Sequence, residues 1–127
     1  MLLLLDTHAF LWWNNDDSAL GPSTRAAVAD SDNIVFVSAA TAWEVATKRA
    51  AGKLDAPGDF AEWVRQDGFA ELPIELGHAV LSAELPPHHR DPFDRILVAQ
   101  ATIDGLTLVT SDAAIMKYDV ATLDAAE

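Results

Sequence analysis

The runs Leu2–Leu5, Ile34–Val37 and Leu106–Val109 lack the regular polar–apolar alternation of a half-exposed strand. A strand covered on one face alternates, whereas a strand covered on both does not. These runs therefore predict a parallel sheet with helices on both sides. Phe69–Pro73 is a weaker run, and Val120–Leu123 offers a fifth strand. Helical stretches separate them: Pro22–Asp30, Ala39–Ala51, Phe60–Gln66, Gly77–Leu85 and Pro92–Asp104. The last opens on proline and stops at Gly105, the usual asymmetry of helix ends. Strand–helix alternation implies an open α/β sheet with right-handed crossovers. The expected fold is a three-layer α/β/α arrangement with a mainly parallel sheet of four or five strands.

The 127 residues fit one domain, 1–127, with turns between elements but no linker or repeat. Apolar residues make up 50% and charged residues 22%, which excludes intrinsic disorder. Cysteine is absent, which removes disulfides, thiolate nucleophiles and zinc–thiolate sites together. Leu2–Leu5 falls far short of the roughly 20 apolar residues that span a bilayer. It also lacks the basic flank of a secretory signal. The expectation is a cytoplasmic protein without membrane attachment.

Ligands of open parallel sheets bind beyond the carboxyl ends of the strands. Asp6 follows the first run, and Thr110, Ser111 and Asp112 follow the fourth. Ser38 follows the second, with Glu44 in the helix behind it, and Asp94 lies in the first turn of the Pro92 helix. Each acid alone has a structural explanation. Asp6 can cap a helix starting at Thr7, and Ser111 or Asp112 can cap a last short helix. Thr41 to Glu44 has capping-box spacing, with Ser38 an equally good cap. Asp91 can cap the helix in which Asp94 sits. As a group they are harder to dismiss, because carboxylates sharing a cleft repel unless a cation or proton lies between them. Lys48, four residues after Glu44, and Arg95, four after Asp91, have the spacing of surface pairs on their own helices. No internal cation is evident, and a divalent ion is the simplest neutraliser. Oxygen ligands suit Mg2+ or Mn2+, and two such ions about 4 Å apart can promote phosphodiester cleavage.

The order of these stretches resembles the PIN-domain ribonucleases, and within them the VapC-type toxins of bacterial toxin–antitoxin pairs. The resemblance is carried by Leu3–Trp13, by Ser38–Glu44 with Lys48 and Gly52–Leu54, by His89–Ala101 and by Thr107–Asp112. It covers essentially the whole chain. It implies a PIN-like fold and a metal-dependent endoribonuclease. The family's metal-binding and catalytic acids correspond to Asp6, Glu44, Asp94 and Asp112. Thr110, Ser111, Asp91, Lys48 and Arg95 would lie around them or contact substrate. Many relatives carry a further acid just after the fourth, where this chain has Ala113, Ala114 and Ile115, so a second metal site would be weak or filled only with substrate present. The implied partners are an RNA substrate, a cognate antitoxin and a second copy of the chain in a homodimer.

Twenty acids against eight Lys and Arg give a formal charge of −12. Such a surface repels phosphate backbones and favours a basic partner. The alternative is therefore a non-catalytic acidic α/β protein-interaction module, which has no reason to hold Mg2+ at Asp6. A receiver domain fits less well, since Lys117 is the nearest lysine after the fourth run. A haloacid-dehalogenase-type phosphatase would want an acid where His8 stands. His88, His89 and Arg90 read as an exposed loop or a small phosphate patch with Arg95. Trp43 and Trp63 read as core. Trp12 and Trp13 are too close together to share one helix face, leaving one for an interface.

Overall fold

The computed structural model describes residues 1–127. Five parallel strands form one sheet: β1 (Leu2–Leu5), β2 (Ile34–Ser38), β3 (Ala70–Leu72), β4 (Thr107–Thr110) and β5 (Thr122–Asp124). Their order across the sheet is β3-β2-β1-β4-β5. The helices are α1 (Thr7–Asn14), α2 (Pro22–Ala29), α3 (Ala39–Ala50), α4 (Phe60–Gln66), α5 (Leu76–Glu84) and α6 (Pro92–Asp104). A 3-10 turn spans Ile115–Lys117.

Side chains alternate across a strand, so β1 supplies both faces of the sheet. Leu3 and Leu5 pack with Phe10, Val28 and Val64, from α1, α2 and α4. Leu4 packs on the other face with Ala40, Leu97, Val98 and Ala101, from α3 and α6. All three leucines are fully buried, each contributing about 1.5–3 kcal/mol. This explains the missing alternation in the first run: both faces are covered, giving the three expected layers.

The first run forms its strand as read, β2 runs one residue further to Ser38, and the ends of the others shift. Val120 is not in β5, because β4 and β5 pair from Leu108 with Thr122 to Thr110 with Asp124. Gly105 ends α6 in the left-handed conformation at φ 67°, a turn that disfavours a side chain. A Cβ on Gly21 would lie 2.2 Å from the Glu127 carbonyl carbon, so only glycine lets the segment after β5 pass there.

Two readings of aromatic residues need correction. Trp43 is not core: it is 55% exposed and meets Phe93 edge-on at 4.8 Å. Both Trp12 and Trp13 are half-buried against the α1–α2 side of the sheet, and Trp13 packs on Phe69. No helix is long and apolar enough to cross a membrane.

Candidate active site

From β1 the chain steps outward through β2 and β3, then returns to β4 on the other flank of β1. This reversal opens a crevice at the carboxyl ends of β1 and β4. Asp6 enters it directly after β1. Its Oδ1 accepts the Ala9 amide at 2.8 Å, so it also caps α1. The capping reading is thus realised, with one oxygen serving the helix.

Glu44 reaches the same region from α3. Its Oε1 accepts from Thr7 Oγ1 at 2.7 Å, and its Oε2 holds Lys48. Ser38, rather than Thr41, caps α3, so the Thr41–Glu44 capping box does not form. Lys48 is not an ordinary surface partner. The Glu44 carboxylate is buried, and Lys48 also feels Asp91 and Asp94. The Glu44 bond, outweighing partial burial, raises the Lys48 pKa above its ordinary value and keeps it charged.

Asp94 lies one turn into α6, behind the Asp91 cap, whose Oδ1 accepts the Phe93 amide at 2.8 Å. Burial pushes the Asp94 pKa up to about 7, with repulsion from Asp91, Glu44 and Asp6 adding to it. Burial also raises Asp6, against hydrogen bonds from Thr110 and Ala9. Asp112 behaves oppositely. Burial, which would raise it, is outweighed by His89 and by the Ala114 and Ile115 amides, and its pKa falls. The cleft therefore combines two carboxyl groups that resist ionisation with one that ionises readily.

Asp94 feels the charges of Glu44 and Asp6, and Asp6 feels that of Asp112, so the four acids are electrostatically linked, with Thr110 bonded to Asp6 and Lys48 to Glu44. Thr110 is buried and its Oγ1 accepts the Asp112 amide at 3.0 Å, fixing the turn after β4. Ser111 is exposed. Arg95 does not pair with Asp91. Its guanidinium donates to the carbonyls of Ser82, Leu85, Pro86 and His89, clamping the loop between α5 and α6.

His89 faces the acids rather than lying in an exposed loop or a phosphate patch. Its Nε2 lies 2.9 Å from Asp112 Oδ2 and 3.1 Å from Asp94 Oδ2. The loop carrying it is not a free phosphate patch, because Arg95 is committed to loop carbonyls. Two prolines before His88 gave the only local signal, since they mark a loop that must turn sharply before α6. A cavity of about 530 Å³ lies near the ends of β2 and β3 against α4. It is lined by Val37, Ala42, Phe60, Val64 and Leu72 among others and includes none of the four acids.

The donors offered by Asp6, Asp94 and Asp112 are hard oxygens with no thiol nearby, which fits Mg2+ or Mn2+. Burial is the main cause of the raised pKa values of Asp6 and Asp94, with repulsion from neighbouring carboxylates adding to it, and a cation between the acids would relieve that repulsion. Fold and cleft together define an open parallel α/β protein with an acidic strand-end site suited to a divalent cation. The chain belongs to the PIN domain family, whose profile matches residues 3–121. PIN domains are generally nucleases.

Three solved structures share the fold. VapBC2 from Rickettsia felis, bound to a DNA fragment from their promoter, is 13% identical at a TM-score of 0.67, covering 97% of this chain and 98% of that one. FitAcB from Neisseria gonorrhoeae is 21% identical at 0.63, with 96% of each chain covered. FitAB bound to an IR36 DNA fragment is 20% identical at 0.64, covering 98% and 96%. No curated protein sequence matches the chain significantly.

Proposed function

We propose that the chain is a Mg2+- or Mn2+-dependent endoribonuclease, a VapC-type toxin that a cognate antitoxin neutralises. What supports this reading is the PIN-family sheet, with Asp6 following β1 and Asp112 following β4 at its switch point, and the mutual influence of Asp6, Glu44 and Asp94, the last pushed up to about 7. Burying carboxylates together is costly, and a site that retains them has a use for the cation that relieves it.

In this reading Asp6, Glu44, Asp94 and Asp112 are the acids of the metal site. Glu44 is held by Thr7 and Lys48 and adds negative charge to it. Lys48 balances that charge and offers a cation to substrate phosphate. Thr110 fixes the turn that aims Asp112. A bound divalent ion would supply the positive charge that activates water and stabilises the leaving oxygen of a phosphodiester.

The net charge of −12 sets the manner of substrate binding. Long-range repulsion opposes RNA at low salt, so affinity concentrates at the cleft. The same acidity favours an antitoxin segment rich in Arg, whose guanidinium pairs bidentately with carboxylates. Such a segment would place a basic side chain near Asp6 and Asp94 in competition with metal. We further propose a homodimer in the cytoplasm, to be tested by sedimentation at micromolar concentration.

The deciding experiment pairs Mg2+ titration calorimetry with cleavage of labelled RNA by wild type and Asp6→Asn. Wild type should bind Mg2+ and cut RNA, and Asp6→Asn should lose both while keeping its circular dichroism spectrum. Retained cleavage by Asp6→Asn at matched Mg2+ would defeat the assignment. A folded wild type that neither binds Mg2+ nor cuts RNA would be the protein-interaction module instead.

A further inference from the structure

We infer that His89 is a fixed hydrogen-bond donor that holds Asp112 from outside the metal coordination sphere, and is not itself a metal ligand. The inference rests on the nuclease reading of the same cleft. By distance alone His89 looks like a ligand, since one donor atom each from His89, Asp94 and Asp112 lie within 4.8 Å of one another. The directions of the hydrogen bonds contradict that appearance.

In a neutral imidazole one nitrogen donates and the other accepts. His89 Nδ1 meets the Asp91 backbone N–H at 3.0 Å. An amide N–H only donates, so Nδ1 is the unprotonated nitrogen and the ring proton sits on Nε2. Nε2 in turn faces Asp94 Oδ2 and Asp112 Oδ2, and the readily ionised Asp112 carboxylate only accepts. Its hydrogen-bond geometry is satisfied toward Asp112 Oδ2 at 2.9 Å. A metal ion would need the lone pair of Nε2, which sends the proton to Nδ1. There it would confront the Asp91 N–H, donor against donor.

The surroundings keep the ring in this setting. The His89 amide donates to Tyr118 Oη at 3.0 Å, and its carbonyl accepts from Arg95 Nη1 at 3.0 Å. Tyr118 Oη donates onward to the Pro86 carbonyl at 2.7 Å. Asp91, the source of the N–H on Nδ1, is anchored as the cap of α6.

Asp112 gains most from this arrangement. It follows β4 on an exposed turn and lacks the burial that holds Asp6. Its Oδ1 accepts the Ala114 amide at 2.8 Å, and His89 takes Oδ2. With a donor on each oxygen the carboxylate plane is fixed, and each oxygen keeps a lone pair for a cation. Partners that orient ligands in this way typically change metal affinity 10–100-fold when removed.

The test follows the imidazole nitrogens of protein labelled with 15N-histidine by long-range 1H–15N correlation, without and with saturating Mg2+. The His89 signals are assigned by their loss in His89→Gln. His89 should show the Nε2–H tautomer in both conditions. Calorimetry should show Mg2+ binding about tenfold weaker in His89→Ala. His89→Gln, whose amide N–H can reach the Nε2 position, should recover most of it. Loss of the Nε2 proton on adding Mg2+, or unchanged Mg2+ affinity in folded His89→Ala, would overturn the inference and leave the nuclease reading standing. Should His89→Ala fail to fold, the tautomer measured on wild type still decides the matter. A wild type that binds no Mg2+ overturns both readings together.

Discussion

Thr7 Oγ1 donates to Glu44 Oε1 at 2.7 Å, tying the first turn of α1 to the middle of α3 beside the acidic cleft. Both residues are buried, so the bond carries the cost of any unpaired partner. Thr7→Val keeps the shape and removes the donor. It should lower stability by about 1–3 kcal/mol, read as a lower urea midpoint with unchanged slope. Thr7→Ser should retain most of the wild-type midpoint. Equal losses in the two variants would show that packing, rather than the hydroxyl, matters at this position.

The raised pKa of Asp94 fixes the sign of a pH effect. Unfolded, this group titrates near 3.8, and folded it titrates near 7. Between those values the folded chain binds more protons, so stability of metal-free protein falls as pH rises from about 4 to 7. Burial raises Asp6 in the same direction. The lowered Asp112 acts below its ordinary range, outside this window. The Asp94 contribution is at most about 4 kcal/mol. Thermal melts in chelator across the window should therefore slope downward for wild type and flatten in Asp94→Asn. At pH 8 the variant should melt higher than metal-free wild type while losing Mg2+ affinity. Parallel pH profiles for the two proteins would contradict the assignment.

Lys48 neutralises Glu44 and lies within the field of Asp91 and Asp94. Lys48→Met removes a positive charge from the cleft and leaves its stem length. Mg2+ affinity should rise by about threefold, because less positive charge opposes the incoming cation. RNA cleavage at low substrate should fall, because the same charge favours phosphate. Calorimetry and initial rates on one preparation separate these effects, and a fall in both would place Lys48 in a purely structural role.

Arg95 satisfies the carbonyls of Ser82, Leu85, Pro86 and His89 with one planar guanidinium. Arg95→Ala should cost about 2–4 kcal/mol through unpaired carbonyls and lost packing. Arg95→Lys should recover little, since an ammonium cannot reproduce the fork. Hydrogen exchange should rise at the His89 and Asp91 amides in both variants, and protection at those amides equal to wild type would refute the clamp.

An antitoxin that competes with metal at the cleft makes inhibition depend on Mg2+. Excess Mg2+ should weaken inhibition of cleavage by the bound partner, and Asp94→Asn should lower the partner's affinity. A complex that leaves the four acids free and binds Mg2+ as the lone chain does would rule this competition out.

Sequence alone determined the layers and the edge of the sheet at which chemistry can occur. Unalternating runs such as Leu2–Leu5 require cover on both faces, and an acid directly after such a run must emerge at the strand end, as Asp6 does. These are local consequences of a two-residue period. Tertiary structure decided the partners, because partnership depends on which elements the sheet order brings together. Glu44 and Lys48 look like a helical surface pair until Thr7 closes over them from α1. Arg95 has the spacing to reach Asp91, yet the loop carbonyls beside it offer a better-matched set of acceptors. His89 is 23 residues from Asp112 and carries no periodic signal. Only the return of α6 beside β4 brings its ring to the cleft, and only the Asp91 amide on the far nitrogen determines which way the proton points.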